Sequence, residues 1–369
     1  MVSIEPARGL SADAAAEPAA TDSAATDSTA ADSTAADSTA GENIAEAARA
    51  AAGEWPGRAL GLARRLGGTA PFPGEGRTSE LWDLLAALGA ADLSVARVVE
   101  PHLDALAILR QAGLGRPETG TVWGVFAAEG PGVKLKARRT AEGWRLQGTK
   151  PWCSLAGALS HAIVTAHTGP DTRRAFAVGL GHPGVAVREG GWHALGLPGI
   201  PSGPVEFDGV PAEPVGEDGW YLERPGFAWG GIGVAAVWHG GALGVARRLW
   251  AAASQRTPDQ IALAHLGAAD LALGTAQAAL ADAAAAVDGG VAEGAAGALL
   301  ALRVRGTVAA AAETVLGVVD HALGPAPLAF DAEHAQRVAD LRLYLRQHHA
   351  ERDTAALGRA LLEAGEQPW

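Results

Sequence analysis

Apolar residues recur at helical spacing through the segment 43–118. The leucines of LWDLLAAL (81–88) fall at i, i+3, i+4 and i+7, which is the stripe of an amphipathic helix. A second helix is expected to begin near Leu93, and Pro101 is expected to lie early in a third. The spacing therefore predicts an N-terminal helical domain over 43–118.

From about residue 119 to 215 the apolar period changes from 3.6 to 2. Gly, Pro or polar clusters separate short runs rich in β-branched and aromatic residues, and this pattern predicts an antiparallel β-domain over 119–215. Gly179–Gly184 matches G-x-G-x-x-G, but a strand pattern follows it instead of a helix. A dinucleotide site needs that helix, so the motif predicts a hairpin turn. The runs are TVWGVFAA, VKLKARR, WRLQGTK, HAIVTA, RAFAVGL, VAVRE and PVEFDGV.

The C-terminal part, 216–369, is rich in Ala, Leu and Arg and has no strand signal. Four long helices with short connections predict an antiparallel four-helix bundle. The fold class is therefore α+β and mostly α, with a helical domain, a β-domain and a bundle in that order. The four bundle helices are expected over about 230–255, 258–288, 291–323 and 333–363.

Residues 1–42 differ in composition from the rest of the chain. Thr21–Ala40 repeats small and acidic residues with a five-residue period. Such a segment buries too little apolar surface to offset the entropy of ordering it. We therefore expect a solvated, disordered tail that takes no part in the chemistry.

Charge and cysteine content exclude several classes of protein. The formal net charge is -12, from 29 basic and 41 acidic residues, which argues against nucleic-acid binding because that needs a basic face. Cys153 is the single cysteine, so an intrachain disulfide framework is excluded and a reducing cytoplasm is expected. No signal peptide is recognised at the N-terminus, and charged residues and Gly interrupt every candidate membrane span, so no membrane association is expected.

Two short segments are candidates for chemistry. His348 and His349 are adjacent in the predicted last helix, where neighbours point about 100° apart, so this pair alone does not chelate a metal. Trp152 and Ser154 follow a predicted strand, where an exposed indole beside a hydroxyl can form a platform for an aromatic ligand. The alternative for Trp152 is a buried position in the core of the β-domain.

This order of domains resembles the acyl-CoA dehydrogenase superfamily of flavoproteins. The resemblance extends from about residue 44 to the C-terminus. The segment 143–166 resembles the family strand that ends in G-x-K-x-W-I-[ST]. The segment 191–220 resembles the stretch that closes the β-domain and enters the bundle, and 339–362 resembles the terminal bundle helix.

The resemblance implies FAD as the cofactor. Trp152 would pack beside the isoalloxazine, and Ser154 would form a hydrogen bond near flavin N5. FAAEGPG (126–132) resembles a shortened form of the family's T-E-P-G-x-G-S-D loop. By this pairing, the backbone of Val125, Ala127 and Ala128 would face the pyrimidine edge of the flavin.

The resemblance also implies a homodimer or homotetramer in which each FAD is partly enclosed by a neighbouring subunit. The family's Arg-x-x-Phe-Gly segment meets that neighbour's FAD, and Arg256 is the nearest basic residue to it here. His321 stands where the family usually has a glutamine. Because both segments depart from the family pattern, weak or lost FAD binding is an alternative.

Family dehydrogenases need a base, usually a glutamate, to remove the α-proton while the β-hydrogen leaves as hydride to flavin N5. An ungapped pairing places His348 at that position, with His349 as the second candidate. The other family position for the base falls near Val234. Neither place offers a carboxylate, although a histidine with a pKa of about 6.5 can act as a base near neutral pH.

Three functions follow from the resemblance. The first is an acyl-CoA dehydrogenase-like, FAD-dependent oxidoreductase that acts on the CH–CH group of an acyl thioester carried by CoA or a carrier protein. An electron-transfer partner would then reoxidise the flavin. The second is a flavin-dependent monooxygenase of the same superfamily, supplied by a reductase, in which His348 stabilises oxygen-derived charge. The third is a non-catalytic member that has lost the base and binds an acyl group or a partner.

Overall fold

The structure is a computed structural model that describes residues 43–188, 190–255, 257–365, 367 and 369. The predicted tail, 1–42, and Arg256 lie outside the described residues.

The described N-terminal part is helical. Asp92 begins α4 because its side chain accepts a hydrogen bond from the Val95 amide at 2.8 Å, as expected of an N-cap residue. Pro101 lies inside α4, so the prediction of a separate third helix was wrong. Proline removes one backbone hydrogen bond, but buried apolar residues continue on both sides of it and hold the helix together. The helices are α1 (43–52), α2 (Gly57–Thr69), α3 (Thr78–Ala91) and α4 (Leu93–Gln111).

Seven strands form one sheet, and each contains residues of a predicted strand run. Most neighbouring strands are antiparallel, as the pattern predicts, but β1 and β2 both run parallel to β4. Since β4 also pairs with β5, the order β4-β2-β3-β7-β5 closes on itself and encloses an apolar core. The strands are β1 (Trp123–Phe126), β2 (Leu135–Thr140), β3 (Gly143–Lys150), β4 (His161–His167), β5 (Arg173–Gly179), β6 (Val185–Val187) and β7 (Val205–Val215).

The glycine motif Gly179–Gly184 begins at the last residue of β5 and ends just before β6. These two strands do not pair with each other, because each pairs with a different part of β7. The segment therefore connects β5 and β6, which both pair with β7, and the predicted hairpin was wrong. A strand follows the motif, as expected when it was excluded as a dinucleotide site.

The C-terminal part contains three long helices close to their predicted positions. The fourth predicted helix, 333–363, is interrupted: α10 ends at Tyr344, a short 3-10 turn follows, and Ala350 has a φ of 50°. Asp353 then accepts the His349 backbone N–H at 3.0 Å and so stabilises the start of the next helix. The helices are α5 (Trp220–Glu223), α6 (Pro225–Ser254), α7 (Gln260–Asp288), α8 (Gly294–Leu323), α9 (Pro325–Phe330), α10 (Ala332–Tyr344) and α11 (Glu351–Ala364).

These elements confirm the predicted α+β, mostly α class with a C-terminal helical region. By length and composition alone, α8 is apolar enough to cross a membrane, which the sequence analysis did not expect. Core helices of water-soluble bundles meet the same criterion, and α8 packs against α6, α7 and α11.

Glycines bring α3 and α6 into close contact. A Cβ atom added to Gly89 on α3 would lie 2.5 Å from the Val237 carbonyl oxygen on α6. A Cβ atom added to Gly240 on α6 would overlap the Ala86 carbonyl oxygen on α3. The two helices therefore pack backbone to backbone at this crossing, which no larger residue permits.

We predict that Gly240→Ala lowers the free energy of unfolding by about 2–3 kcal/mol, because the added methyl group forces the two backbones apart. Gly274→Ala in α7 is the matched control, since a Cβ atom there meets nothing within 4 Å. The control should be neutral, or stabilising by up to about 1 kcal/mol, because alanine favours helix. Urea unfolding measures both variants, and equal effects would contradict the close packing.

Candidate functional site

The segment after β3 presents Trp152 at the surface. Trp152 is 59% exposed, and its φ of 59° lies in the left-handed region that non-glycine residues rarely adopt. The next residue, Cys153, is buried, and its amide donates to the Gly203 carbonyl at 3.0 Å. The Leu155 amide donates to the Pro201 carbonyl at 2.9 Å. These bonds fix the segment and place Ser154 beside the 201–203 strand connection.

Ser154 lies in a chain of hydroxyl groups. Its Oγ atom is 2.8 Å from Ser202 Oγ, and Ser202 Oγ donates to the Ile200 carbonyl at 3.0 Å. A hydroxyl has one proton, and donating it to the Ile200 carbonyl leaves Ser202 to accept from Ser154, so we assign Ser154 as the donor between the two serines. Arg97 Nη2 also donates to Ser154 Oγ, at 3.2 Å. Ser154 is left with one unused lone pair and no unused proton.

Arg97 connects Ser154 to a buried ion pair. Its Nη1 atom donates to Glu100 Oε2 at 2.8 Å, and both side chains are almost buried, at 11% and 8% exposed. Tyr344 on α10 donates its hydroxyl to the same carboxylate oxygen at 3.2 Å. The Arg97 guanidinium also lies over the Tyr344 ring, 5.1 Å from its centroid.

Burial sets the titration of this group. Burial raises the pKa of Glu100, although the Arg97 charge and the two hydrogen bonds oppose that shift. Burial and the Glu100 charge raise the pKa of the Tyr344 hydroxyl. Tyr344 is therefore protonated at neutral pH and acts as a hydrogen-bond donor.

His348 lies in the break between α10 and α11, so its predicted position within a helix was wrong. Its ring meets buried Trp238 edge-on, 6.3 Å between centroids, and Trp238 meets Tyr344 in the same way at 6.2 Å. Burial lowers the pKa of His348, an effect that nearby Asp353 only partly opposes. The imidazole is therefore neutral at pH 7.

Arg305 on α8 completes this contact path. Its guanidinium lies over the Trp238 ring, 4.7 Å from the ring centroid. It donates to the carbonyl oxygens of Gly231 at 2.6 Å and Gln347 at 3.1 Å. The structure thus joins two predicted residues, Ser154 and His348, through contacts of side chains on α4, α6, α8 and α10.

His349 is 66% exposed and pairs with Asp353, with its Nδ1 atom 3.1 Å from the carboxylate. Burial alone would raise the pKa of Asp353, but the hydrogen bonds from the His349 amide and ring lower it. Both residues line a cavity of about 490 Å³ between α5, α6, α8 and the start of α11. His348 is not among the lining residues, so the second candidate, His349, faces this space.

The remaining predicted flavin contacts occupy β1 and the loop after it. Val125 and Ala127 are half-buried against α4, and Ala128 is exposed. The Ala127 carbonyl accepts a hydrogen bond from Thr165 at 3.3 Å. The following residue, Glu129, accepts one from buried Lys150 at 2.8 Å, which holds the loop against the end of β3.

Two predicted residues are not part of this assembly. His321 is exposed in the last turn of α8, and no contact among the described residues joins it to Trp152 or Ser154. Arg256 lies outside the described residues. The predicted cofactor-binding role of both residues stays a prediction.

Neither a family model nor a curated protein matches the sequence. Solved structures do match. TdsC, a dibenzothiophene monooxygenase from Paenibacillus sp. A11-2, was solved with FMN and indole and is 18% identical, with a TM-score of 0.74, covering 90% of this chain and 98% of TdsC. KijD3, solved with FMN and a dTDP-3-amino sugar, is 19% identical, with a TM-score of 0.73, covering 91% of this chain and 93% of KijD3.

A nitrososynthase from Micromonospora carbonacea var. africana is 19% identical, with a TM-score of 0.71, covering 89% of this chain and 94% of the nitrososynthase. These matches extend along most of both chains. The chain has the acyl-CoA dehydrogenase fold. At this level of identity the likeness shows the fold of the acyl-CoA dehydrogenase superfamily and not an activity.

Of the two positions predicted for a base, Val234 on α6 lines the cavity, whereas His348 packs against Trp238 and does not line it. That a base belongs at either position stays a prediction.

Sequence reasoning missed several residues of the site. Arg97, Glu100 and Asp104 fall at i, i+3 and i+7, so one face of an otherwise apolar helix carries three charges. That pattern was a readable signal, because charged side chains on a buried face are paired or functional. Ser202 and Arg305 gave no such signal, since their partners come from distant parts of the sequence.

We predict that Arg97→Met lowers the free energy of unfolding by about 3–5 kcal/mol, because Glu100 is then a buried charge without its cation. The control is Arg77→Met, which breaks another i, i+3 Arg–Glu pair, one that is 59% and 57% exposed. That change should cost at most about 1 kcal/mol. Denaturant unfolding distinguishes the two, and a small effect of Arg97→Met would show that Glu100 is solvated.

Proposed function

We propose that this protein is a flavin-dependent monooxygenase that binds its flavin in the reduced state. The observation that carries the proposal is the set of hydrogen bonds at Ser154, from which we assign its proton to Ser202. Three solved structures of the same fold support this reading, because one is named a monooxygenase and two contain FMN.

The residues predicted to hold a flavin fit such a group. Trp152 offers an exposed indole face on which a flat ring can stack, and the next residue, Cys153, is buried and bonded to the Gly203 carbonyl, which anchors the segment. Ser154 follows within two residues and keeps a lone pair. Exposed Ala128 and half-buried Ala127 leave backbone accessible at the neighbouring loop.

The redox state follows from hydrogen-bond polarity. N5 of an oxidised flavin accepts hydrogen bonds, whereas N5 of a reduced flavin carries a hydrogen and donates. With its proton assigned to Ser202 and one lone pair used by Arg97, Ser154 can offer a ligand only its second lone pair, which is an acceptor. This polarity suits reduced flavin, which is the state that a reductase delivers to a monooxygenase.

Reduced flavin, when bound, supplies the electrons with which molecular oxygen is activated. The chain's own residues would orient the ring and control protons around it. Arg97 holds Ser154 in place by a hydrogen bond, and the exposed indole of Trp152 would stack on one face of the ring. Neutral His348, held by Trp238, supplies a ring N–H donor without bringing a positive charge.

Dehydrogenation of an acyl thioester, the first function expected from the sequence, has less support. It needs a strong base at the α-carbon, and the two predicted positions hold Val234 and His348, whose pKa burial lowers, so its imidazole is a weaker base than a free histidine. The cofactor is proposed to be FMN instead of FAD, because TdsC and KijD3 were solved with FMN. A reductase as partner, a homo-oligomer and a cytoplasmic location stay predictions.

We predict that Trp152→Ala weakens FMN binding on the order of tenfold, because a stacking face is lost. Quenching of FMN fluorescence on titration with protein measures the affinity. Trp250→Ala is the matched control, since Trp250 is 67% exposed on α6. Equal effects of the two substitutions would place the flavin elsewhere, and the same titrations with FAD test the choice of FMN.

We predict that the wild-type protein binds reduced FMN more tightly than oxidised FMN, and that Ser202→Ala narrows this ratio about fivefold. The substitution frees the Ser154 proton to donate to oxidised N5, a bond of about 1 kcal/mol. Anaerobic titrations with oxidised and dithionite-reduced FMN measure both dissociation constants. Ser254→Ala, at an exposed hydroxyl on α6, should leave the ratio unchanged.

The same preparations distinguish the two enzyme classes. Butyryl-CoA added anaerobically to protein with oxidised flavin should leave the flavin spectrum unchanged. Bleaching by the thioester would establish the dehydrogenase and overturn the proposal. Equal affinity for both redox states would remove its structural basis.

A further inference from the structure

The cavity beside His349 contains a carboxylate that the proposed function does not use. Asp104 lies on α4 and lines the cavity, with 22% of its side chain exposed. The volume of about 490 Å³ is in the range of small-molecule sites. Asp104 therefore faces a space large enough for a substrate.

Within the part of the chain that the structure describes, Asp104 accepts no hydrogen bond. Its nearest cation is Arg224, whose Nη2 atom stays 3.9 Å from the carboxylate. Arg224 is held away because its Nη1 atom donates to Gln111 at 2.7 Å and its guanidinium lies over the Tyr221 ring at 5.2 Å. An ionised carboxylate has about four acceptor positions, and such groups are normally satisfied when they are shielded from water.

The backbone of α6 leaves room for this carboxylate. A Cβ atom added to Gly230 would lie 2.9 Å from Asp104 Oδ1, so a side chain at this position would crowd the carboxylate. The absence of a side chain at Gly230 therefore leaves the space that the Asp104 carboxylate occupies next to α6. Burial also raises the pKa of Asp104, and Arg224 opposes this only in part, which is what a missing close counter-charge produces.

The charge around the cavity favours a cation over an anion. Its lining includes three carboxylates and two arginines, and the guanidinium groups of both arginines are already engaged. Arg305 donates to two carbonyl oxygens, and Arg224 donates to Gln111. An anionic ligand would meet the three carboxylates, which belong to Asp104, Glu223 and Asp353.

Aromatic side chains add to this preference. Tyr221 and Phe227 both line the cavity and pack edge to face, 5.6 Å between ring centroids. A carboxylate near aromatic rings is a common way to bind an organic ammonium ion, because the charge meets an acceptor while its apolar part meets the rings. The other walls include Val234, Leu302 and several alanines, which suits an apolar body.

We infer that Asp104 binds the protonated amine of a small, largely apolar substrate in this cavity. The inference rests on the proposed function for what happens to that amine, but not for its binding. Asp104 is thus a specificity-determining residue, and it selects an alkylammonium over a neutral or anionic compound of the same shape.

The test uses the full-length protein without flavin and three compounds of similar shape: benzylamine, benzyl alcohol and benzoate. Isothermal titration calorimetry should show benzylamine binding at least about tenfold more tightly than benzyl alcohol, as expected for a charge-assisted hydrogen bond. Asp104→Asn keeps the shape of the side chain and should remove that advantage. Asp282→Asn is the matched control, because Asp282 undergoes the same chemical change but is exposed on α7 and does not line this cavity. It should leave benzylamine affinity unchanged.

Three results would overturn the inference: no saturable binding of benzylamine, equal or tighter binding of benzoate, or full benzylamine affinity in Asp104→Asn. The comparison of compounds on wild-type protein needs no variant, so it stands even if a substitution impairs folding. Failure of FMN binding with intact amine selectivity would overturn only the proposed monooxygenase. Normal FMN binding without amine selectivity would overturn only the role of Asp104.

Discussion

The buried contact between Arg97, Glu100 and Tyr344 is the interaction on which the site depends. It joins α4 to α10 in a region where water does not screen charge, so separating the partners is costly. The same guanidinium reaches Ser154 in the segment after β3. One arginine therefore ties the N-terminal helices, the β-domain and the C-terminal helices to a common geometry.

The polar groups in this region determine each other's hydrogen-bond partners. Ser202 is committed to a carbonyl, so Ser154 is committed to Ser202, and Arg97 is divided between Ser154 and Glu100. Each hydrogen bond determines whether the next group donates or accepts. The sequence around Ser154 does not show this, because the donor and acceptor roles of its hydroxyl depend on the hydrogen-bond network around it.

Much of the architecture was predictable from the sequence, because periodicity and turn residues are local signals. The strand runs and three long C-terminal helices are examples. The interruption near His348 was not predictable. At this point the His349 backbone N–H donates a hydrogen bond to the Asp353 side chain, and the helix does not continue. Of the site, Trp152 and Ser154 were found through a motif. The charged face of α4 made Arg97 a readable candidate, but its contact with Ser154 lies 57 residues away in the sequence, and Ser202 depends on the same serine 48 residues away.

The continuity of α4 through Pro101 has a consequence for how this chain can vary. Arg97 and Asp104 are two helical turns apart, about 10 Å along the axis, and they share one face. Inserting or deleting a single residue between them would rotate one end about 100° relative to the other. Related chains that keep both contacts should therefore preserve the residue count across this helix, even where every other position in it has changed.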